Sequence, residues 1–188
     1  MTGPAAEAGA RALLAGGLVV HPTDTLYALA ARAVDRRAVS RLVAAKGRPS
    51  SQPLSVAVSS TPELERWARL GPSSRRFLRD ALPGPYTALL PPTTEARRLL
   101  APEVAGGAAI GLRVPDHPLA RELARRAGPI VATSANRSGH RPARDLAEAR
   151  REFGDLVSAY VYTNPSPSGV PSTLVDLTGD RPRRLRRP

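Results

Sequence analysis

Four short polar stretches carry the side chains of this chain that could do chemistry. Each follows or opens an apolar, strand-like run, and α/β sheets place their ligands where strands end in loops. Small hydroxyl and amide groups in such turns can offer several donors to an anion, and arginine can pair with a carboxylate or a phosphate. The stretches are HPTDTLYAL (21–29), KGRPSSQPL (46–54), ATSANRSGHRP (132–142) and GVPSTLVDL (169–177). A fifth contribution comes from Arg113, at the end of another predicted strand.

The second stretch contains Lys46, the single lysine among 28 basic residues. Lysine presents a compact ammonium and arginine a planar fork, and the two are not interchangeable on phosphates. In an arginine-dominated chain, a retained lysine indicates a site that requires the ammonium. Two alternatives stay open: Lys46 and Arg48 complement the dipole at a helix C-terminus, or the lysine survives by chance. As a helix-terminal residue, Lys46 is expected to be exposed.

Several kinds of catalytic site are excluded or disfavoured. The chain has no cysteine, which excludes disulfides, thiolate metal sites and thiol catalysis. It has neither a Gly-rich phosphate loop ending in Gly-Lys-Ser/Thr nor a G-x-S-x-G turn. His21, His117 and His140 lack metal-ligand spacing, so no protein metal site is expected. His21 is expected to be packed or capping, and His117 to cap a helix locally.

Length and charge bound the class of protein. With 188 residues, 41% of them hydrophobic, the chain is long enough for one globular domain with a substantial core. The N-terminus does not resemble a secretory signal, and no apolar run approaches the about 18 residues that span a bilayer. A cytoplasmic protein is therefore expected. The net charge of +12 is explained equally well by a polyanionic partner, such as nucleic acid, and by coding bias.

Apolar β-rich runs alternate with helical patterns along the whole chain, which predicts an α/β domain with a mixed sheet. The segment NPSPSGVP (164–171) is the strongest loop prediction. Predicted helices cover residues 5–15, 36–45, 73–81, 117–127 and 145–153, with shorter helical patterns after residue 62 and around 94–100. Predicted strands cover residues 18–21, 54–58, 86–90, 108–114, 129–134, 156–162 and 172–178.

Taken together and in order, the motifs resemble the YrdC-like threonylcarbamoyl-AMP synthase family. The pairs Lys46-Gly47-Arg48 and Ser134-Ala135-Asn136 are similar to that family's K-x-R and S-x-N signature. The motifs that carry the resemblance are PTDTLYAL (22–29), KGRP with PL (46–49 and 53–54), LPGPYT (82–87), LRVPDHP (112–118), TSANRSG (133–139), PSTLVDLTG (171–179) and RRLRRP (183–188).

The resemblance implies a fold and a reaction. The fold would be a single-domain twisted mixed sheet with flanking helices and a concave basic cavity, occupying residues 1–188 as in the short branch of the family. The reaction would join L-threonine, bicarbonate or CO2, and ATP into threonylcarbamoyl-adenylate and pyrophosphate. That product serves partner proteins that modify adenosine 37 of tRNA, so a downstream threonylcarbamoyl-transferase complex and tRNA contact are implied partners.

The resemblance also implies roles for individual residues. Lys46 and Arg48 would hold the ATP phosphates and act as the catalytic pair, with Mg²⁺ arriving on the ATP rather than in a protein cage. The other nucleotide contacts would be Gln52, Asn136, Arg144 and Arg186. The threonine site would consist of Thr25, Arg113, Ser134 and Ser172, with Arg113 on the threonine carboxylate.

The chain departs from the family pattern at a few of these positions. Ala28 stands where the family usually has glycine, which would narrow the floor of the pocket, and Ala57 replaces a common histidine. Arg144 stands where a smaller polar residue is usual. Two other functions stay open: a double-stranded RNA or tRNA-binding module, motivated by the charge, and a paralogue that makes another carbamoyl-adenylate. The intact K-x-R and S-x-N pairs favour the synthase.

Overall fold

The computed structural model describes residues 3–47 and 54–186, with the backbone alone at Arg186. The helices are α1 (Gly3–Leu14), α2 (Arg36–Lys46), α3 (Leu64–Trp67), α4 (Pro72–Ala81), α5 (Thr94–Leu99), α6 (Pro102–Ala105), α7 (Pro118–Ala127) and α8 (Leu146–Phe153), the last continued by a 3-10 turn at Gly154–Leu156. The strands are β1 (Val19–Pro22), β2 (Tyr27–Arg32), β3 (Ser55–Ala57), β4 (Tyr86–Leu90), β5 (Ile110–Arg113), β6 (Ile130–Ser134), β7 (Ala159–Tyr160), β8 (Thr173–Asp176) and β9 (Arg183–Arg186).

The strands form one mixed sheet, as the sequence predicts. Their order is β7-β1-β2-β6-β3-β5-β4-β8-β9. The pairs β1–β7, β3–β5 and β4–β8 are parallel, and the other neighbouring pairs are antiparallel. The start of β2, the ends of β5 and β6 and the start of β8 carry the polar stretches, so the sheet brings residues far apart in sequence to one place.

Helices cover both faces of the sheet, and each face has its own apolar core. Along β1, Val19 packs in the core beneath α1 and α7, whereas Val20 packs in the larger core on the opposite face, because successive side chains of a strand alternate. Close approach of α1 to α7 depends on Gly9: a Cβ there would lie 2.8 Å from a methyl group of Leu123.

The ends of α2 follow from its sequence. Asp35 caps the N-terminus, where its Oδ1 accepts a 3.0 Å hydrogen bond from the backbone N–H of Ala38. Gly47 ends the helix in the left-handed conformation with φ of 58°, which glycine adopts without a side-chain clash. Lys46 is therefore the last helical residue, with its position set by two local signals.

Three elements differ from the sequence prediction. No strand is predicted at residues 27–32 or 183–186, but these segments form β2 and β9. Alanine-rich and arginine-rich segments have low strand propensity, so their pairing with β1, β6 and β8 decides their conformation. Helix α6, only four residues long, has no counterpart among the predicted helices.

Candidate functional site

A cavity of about 440 Å³ opens on the part of the sheet that extends from β2 to β8. Thr25, Arg113, Ser134 and Ser172 all line it, although they come from four different segments of the chain. Apolar contacts come from Leu26, Ala28, Leu54, Leu89, Ala132 and Leu174. The four residues of the predicted threonine site therefore lie together around one small, partly apolar space.

The turn between β1 and β2 is held by its own threonines. The Thr23 hydroxyl donates to the carbonyl of Leu26 at 2.7 Å and accepts the backbone N–H groups of Thr25 and Leu26, each at 3.2 Å. The two threonine hydroxyls are 3.0 Å apart.

Arg113, the last residue of β5, contacts this turn from the neighbouring part of the cavity wall. Its Nη1 donates to Thr25 Oγ1 at 3.1 Å, and its Nη2 donates to Asp24 Oδ1 at 2.7 Å. Burial lowers the pKa of Arg113, and the carboxylate of Asp24 opposes this shift. The guanidinium, which keeps its charge at neutral pH, is thus fixed in orientation at the cavity edge.

A pair of hydroxyl groups lies on the β4–β8 side of the cavity. Thr87 Oγ1 and Ser172 Oγ are 2.9 Å apart, and both side chains are buried. Thr87 is not among the predicted site residues, although it belongs to the LPGPYT motif. Hydroxyl groups can both donate and accept hydrogen bonds, so this pair can bind a donor group or an acceptor group of a ligand.

The structure corrects the expectation that Lys46 is exposed. Its side chain is only 4% exposed, and its Nζ donates to the backbone carbonyls of Ser134 and Asn136, both at 2.6 Å. Its own carbonyl accepts the N–H of Ser138 at 2.7 Å. Lys46 therefore joins the end of α2 to the turn after β6, and the two signature motifs meet through this ammonium.

Asn136 lies in the same turn with part of its amide unsatisfied. Its Nδ2 donates to the carbonyls of Arg137 at 2.9 Å and His140 at 2.8 Å. Its Oδ1 is buried and has no hydrogen-bond partner within residues 3–47 and 54–186. A buried acceptor without a donor is costly, so this oxygen marks a position where a ligand N–H would be stabilising.

A second cavity of about 650 Å³ adjoins the first and shares Leu26, Tyr27 and Pro142 with it. Arg144 lines this second cavity rather than the first, and its side chain, 86% exposed, forms an ion pair with Glu148 at 2.8 Å. Arg144 therefore lies beside the cavity that adjoins the predicted threonine site, not in it.

The remaining predicted nucleotide contacts are described only in part or not at all. Arg48 and Gln52 lie outside the described residues. Arg186 pairs with Leu174 across β8 and β9, and Leu174 lines the main cavity, so the backbone of Arg186 is one strand away from it. Among the described residues that line the main cavity, Arg113 is the cationic one. The basic character of the cavity therefore stays a prediction.

The predicted loop 164–171 covers the β1–β2 turn. The backbone N–H groups of Ser168 and Gly169 donate to the carbonyls of Asp24 and Thr25 at 3.2 and 2.8 Å. The ring of His117 reaches the same loop, where Nε2 donates to the carbonyl of Pro165 at 2.9 Å. The His117 side chain makes no capping hydrogen bond to α7, so the predicted local cap is wrong: the ring anchors the loop instead.

His21 is packed, as predicted, and its ring is fully buried. Its Nδ1 donates to the carbonyl of Pro22 at 2.9 Å, and burial lowers its pKa from 6.5 to about 4. Burial also lowers the pKa of His117. Both rings are therefore neutral at pH 7.

We expect His21 to make the folded state sensitive to acid. Its folded pKa lies below its unfolded value, so no stability is lost above pH 6.5, and stability falls as the pH is lowered from 6.5 towards 4. A shift of this size corresponds to a loss of up to about 3 kcal/mol. Urea unfolding at pH 7.5 and 4.5 measures it, and His21→Asn should reduce the pH-dependent loss relative to the unsubstituted protein.

His140→Asn provides the control for that measurement, because the His140 side chain is 60% exposed. It should alter the pH dependence much less than His21→Asn. An equal acid-induced loss of stability in the His21→Asn variant and the unsubstituted protein would show that His21 is not responsible.

Neither a metal cluster nor a membrane span occurs in the described ranges. No group of three or more His, Cys, Asp or Glu side chains that could hold a metal ion is found among residues 3–47 and 54–186. Across that same part of the chain, no helix is long and apolar enough to cross a bilayer.

Known sequences match the part of this chain that contains all the residues lining the main cavity. The family model of Sua5, YciO and YrdC proteins, described as "Telomere recombination", matches residues 11–188. A Mycobacterium tuberculosis protein provisionally named threonylcarbamoyl-AMP synthase is 42% identical over 176 residues, 93% of this chain and 80% of that protein. Threonylcarbamoyl-AMP synthase of Chromohalobacter salexigens is 37% identical over 178 residues, 92% of this chain and 93% of that one.

A solved structure has the same fold. The crystal structure of P. abyssi Sua5 complexed with L-threonine matches 96% of this chain with a TM-score of 0.87 and 32% sequence identity. The match takes up 53% of the P. abyssi protein, so this chain spans about half of its length. Strands β1 to β9 all fall within the range that the family model matches.

Proposed function

Because this chain belongs to the Sua5, YciO and YrdC family, we propose that it is a threonylcarbamoyl-AMP synthase. It would convert L-threonine, bicarbonate or CO2, and ATP into threonylcarbamoyl-adenylate and pyrophosphate. One observation carries the proposal: the four predicted threonine contacts line a single cavity of about 440 Å³, a volume within the range of small-molecule sites. Relatives that bear the synthase name favour this activity over an RNA-binding module.

The threonine would bind in the main cavity. The planar guanidinium of Arg113 suits a carboxylate, and Thr25 and Ser134 line the same cavity. The hydroxyl pair of Thr87 and Ser172, which also lines it, would serve other polar groups of the substrate. Ala28 lines this cavity, so the alanine at this position reduces the space that a glycine would leave.

ATP would bind beside the threonine, with its phosphates towards the turn after β6. Lys46 places a positive charge on that turn through its contacts with the Ser134 and Asn136 carbonyls, and the unpartnered Asn136 Oδ1 offers an acceptor to the nucleotide. Arg48, Gln52, Arg144 and Arg186 are the further proposed contacts. Mg²⁺ would be held by the ATP phosphates.

The chemistry requires no protein nucleophile. The carbamate formed from threonine and bicarbonate attacks the α-phosphate of ATP and releases pyrophosphate. The protein would accelerate this step by holding two reactants in line and by offsetting phosphate charge with Lys46 and Arg48. This division of labour agrees with a chain that has no cysteine and no serine turn of the hydrolase type.

We further propose that residues 1–188 act as one catalytic domain in the cytoplasm. Its product would pass to a threonylcarbamoyl-transferase complex that modifies tRNA. Direct contact with tRNA is a separate proposal, supported by the net charge of +12.

The expected result of an activity assay is pyrophosphate release that depends on threonine. Purified protein is incubated with ATP, Mg²⁺ and bicarbonate, with and without L-threonine, and pyrophosphate is quantified. Serine and free carbamoyl phosphate, tested as alternative co-substrates, distinguish the synthase from a paralogue that makes another carbamoyl-adenylate. Pyrophosphate release that ignores threonine would contradict the proposed function.

A further inference from the structure

A buried ion pair joins Arg113, which lines the proposed threonine cavity, to Asp24, which does not. The Arg113 and Asp24 side chains are 8% and 11% exposed, and Nη2 and Oδ1 are 2.7 Å apart. Thr23, Thr25 and Arg113 line the cavity, but Asp24 does not. Asp24 therefore contacts the substrate-facing guanidinium from behind, without being positioned to touch the substrate.

Both members of the pair keep an unsatisfied polar atom. Arg113 Nε and Asp24 Oδ2 are buried without a hydrogen-bond partner in the described part of the chain. A charged guanidinium that is buried requires a counter-charge, because removing it from water is costly. Asp24 supplies that charge, since the nearby rings of His21 and His117 are neutral at pH 7 and could only add positive charge.

A substrate carboxylate on Arg113 would change this balance. The empty site is close to electroneutral, whereas the occupied site would place two carboxylates on one guanidinium. The two negative charges would repel each other in surroundings that screen them less than water does. Asp24 thus stabilises the site when it is empty and opposes the binding of the substrate carboxylate to Arg113.

We propose that Asp24 is the internal counter-ion of Arg113 and that its charge sets the affinity of the site for threonine. The proposal rests on the proposed function, because it requires the threonine carboxylate to bind Arg113. It assigns two separable roles to one side chain. Its Oδ1 accepts a hydrogen bond that holds the guanidinium in place. Its negative charge balances Arg113 in the absence of substrate and weakens the binding of the threonine carboxylate.

Asp24→Asn separates these roles. The amide oxygen can still accept the hydrogen bond from Nη2, and Thr25 Oγ1 still accepts from Nη1, so the orientation of Arg113 is preserved. The charge is lost. We expect the variant to bind L-threonine about tenfold more tightly than the unsubstituted protein, the change that one like charge of this kind produces in a partly screened site. Isothermal titration calorimetry with L-threonine alone measures it.

Two controls isolate the charge. L-threonine amide lacks the carboxylate, so Asp24→Asn should not tighten its binding. Asp116→Asn makes the same substitution in the ion pair with Arg121, where the aspartate is 67% exposed, and should leave threonine affinity unchanged.

Asp24→Asn should also unfold at a lower temperature without ligand. Threonine should raise its unfolding temperature by more than it raises that of the unsubstituted protein.

The outcomes are distinct. Equal or weaker threonine binding by folded Asp24→Asn, or equal tightening for the amide, would overturn the counter-ion role while leaving the proposed function intact. If the unsubstituted protein binds no threonine, both the proposed function and this inference fail.

If Asp24→Asn is unfolded without ligand, refolding is followed by circular dichroism. Refolding by L-threonine but not by its amide supports the role, and no refolding at saturating threonine refutes it.

Discussion

Replacing Arg113 with methionine is expected to reduce kcat/KM for threonine by about 10²–10³-fold, because the substrate loses a buried, charge-assisted contact. The same change should lower the free energy of unfolding by about 3–5 kcal/mol, because it leaves the buried carboxylate of Asp24 without its partner. Threonine-dependent pyrophosphate release and urea unfolding measure the two effects separately.

A double variant distinguishes the two effects of Arg113. Combining Arg113→Met with Asp24→Asn removes both charges, so much of the lost stability should return while threonine-dependent turnover stays low. Arg121→Met is the matched control, since its partner Asp116 is exposed, and it should change stability by less than about 1 kcal/mol. Normal turnover in the Arg113→Met single variant would show that this guanidinium does not bind the substrate.

Replacing Lys46 with alanine is expected to abolish turnover and also to destabilise the fold. The sequence predicts an exposed side chain whose removal costs at most about 0.5 kcal/mol. The structure changes this expectation, because the ammonium binds the Ser134 and Asn136 carbonyls from a buried position. Losing hydrogen bonds from a charged donor to two carbonyls should cost about 2–4 kcal/mol, measured by urea unfolding.

The exposed Arg37 on the same helix provides the control for Lys46. Arg37→Ala should change stability by about 0.5 kcal/mol or less. Lys46→Arg tests whether an ammonium is specifically required, since it keeps the charge but replaces a compact donor with a planar fork. A Lys46→Ala variant that retains both normal stability and normal turnover would contradict the structural role and the phosphate role together.

The single lysine of the chain has two possible reasons for its retention. An ammonium can direct donors to two carbonyls of one turn, as it does here at 2.6 Å to each. The proposed phosphate contact is a second reason, and it acts on the same turn. Charge complementarity with the dipole of α2 does not account for the observed contacts, because the two carbonyls belong to the last residue of β6 and to the turn after it rather than to α2.

The sequence by itself determined the fold class and the main helices, and it predicted four residues that lie around one cavity. Local signals such as Asp35 at the start of α2 act over three or four residues, so they can be interpreted without tertiary information. Ordered motifs carried the site prediction, and Thr25, Arg113, Ser134 and Ser172 all line the main cavity.

Only the tertiary structure decided which residues lie behind that cavity and how they interact. The strand character of β2 and β9 arises from pairing with neighbouring strands, in β2 with β6 about 100 residues away, which propensity cannot anticipate. The burial of Lys46 and the pairing of Arg113 with Asp24 likewise join residues about 90 positions apart. Such contacts depend on sheet order and packing, because a buried charge finds its partner in three dimensions rather than along the chain.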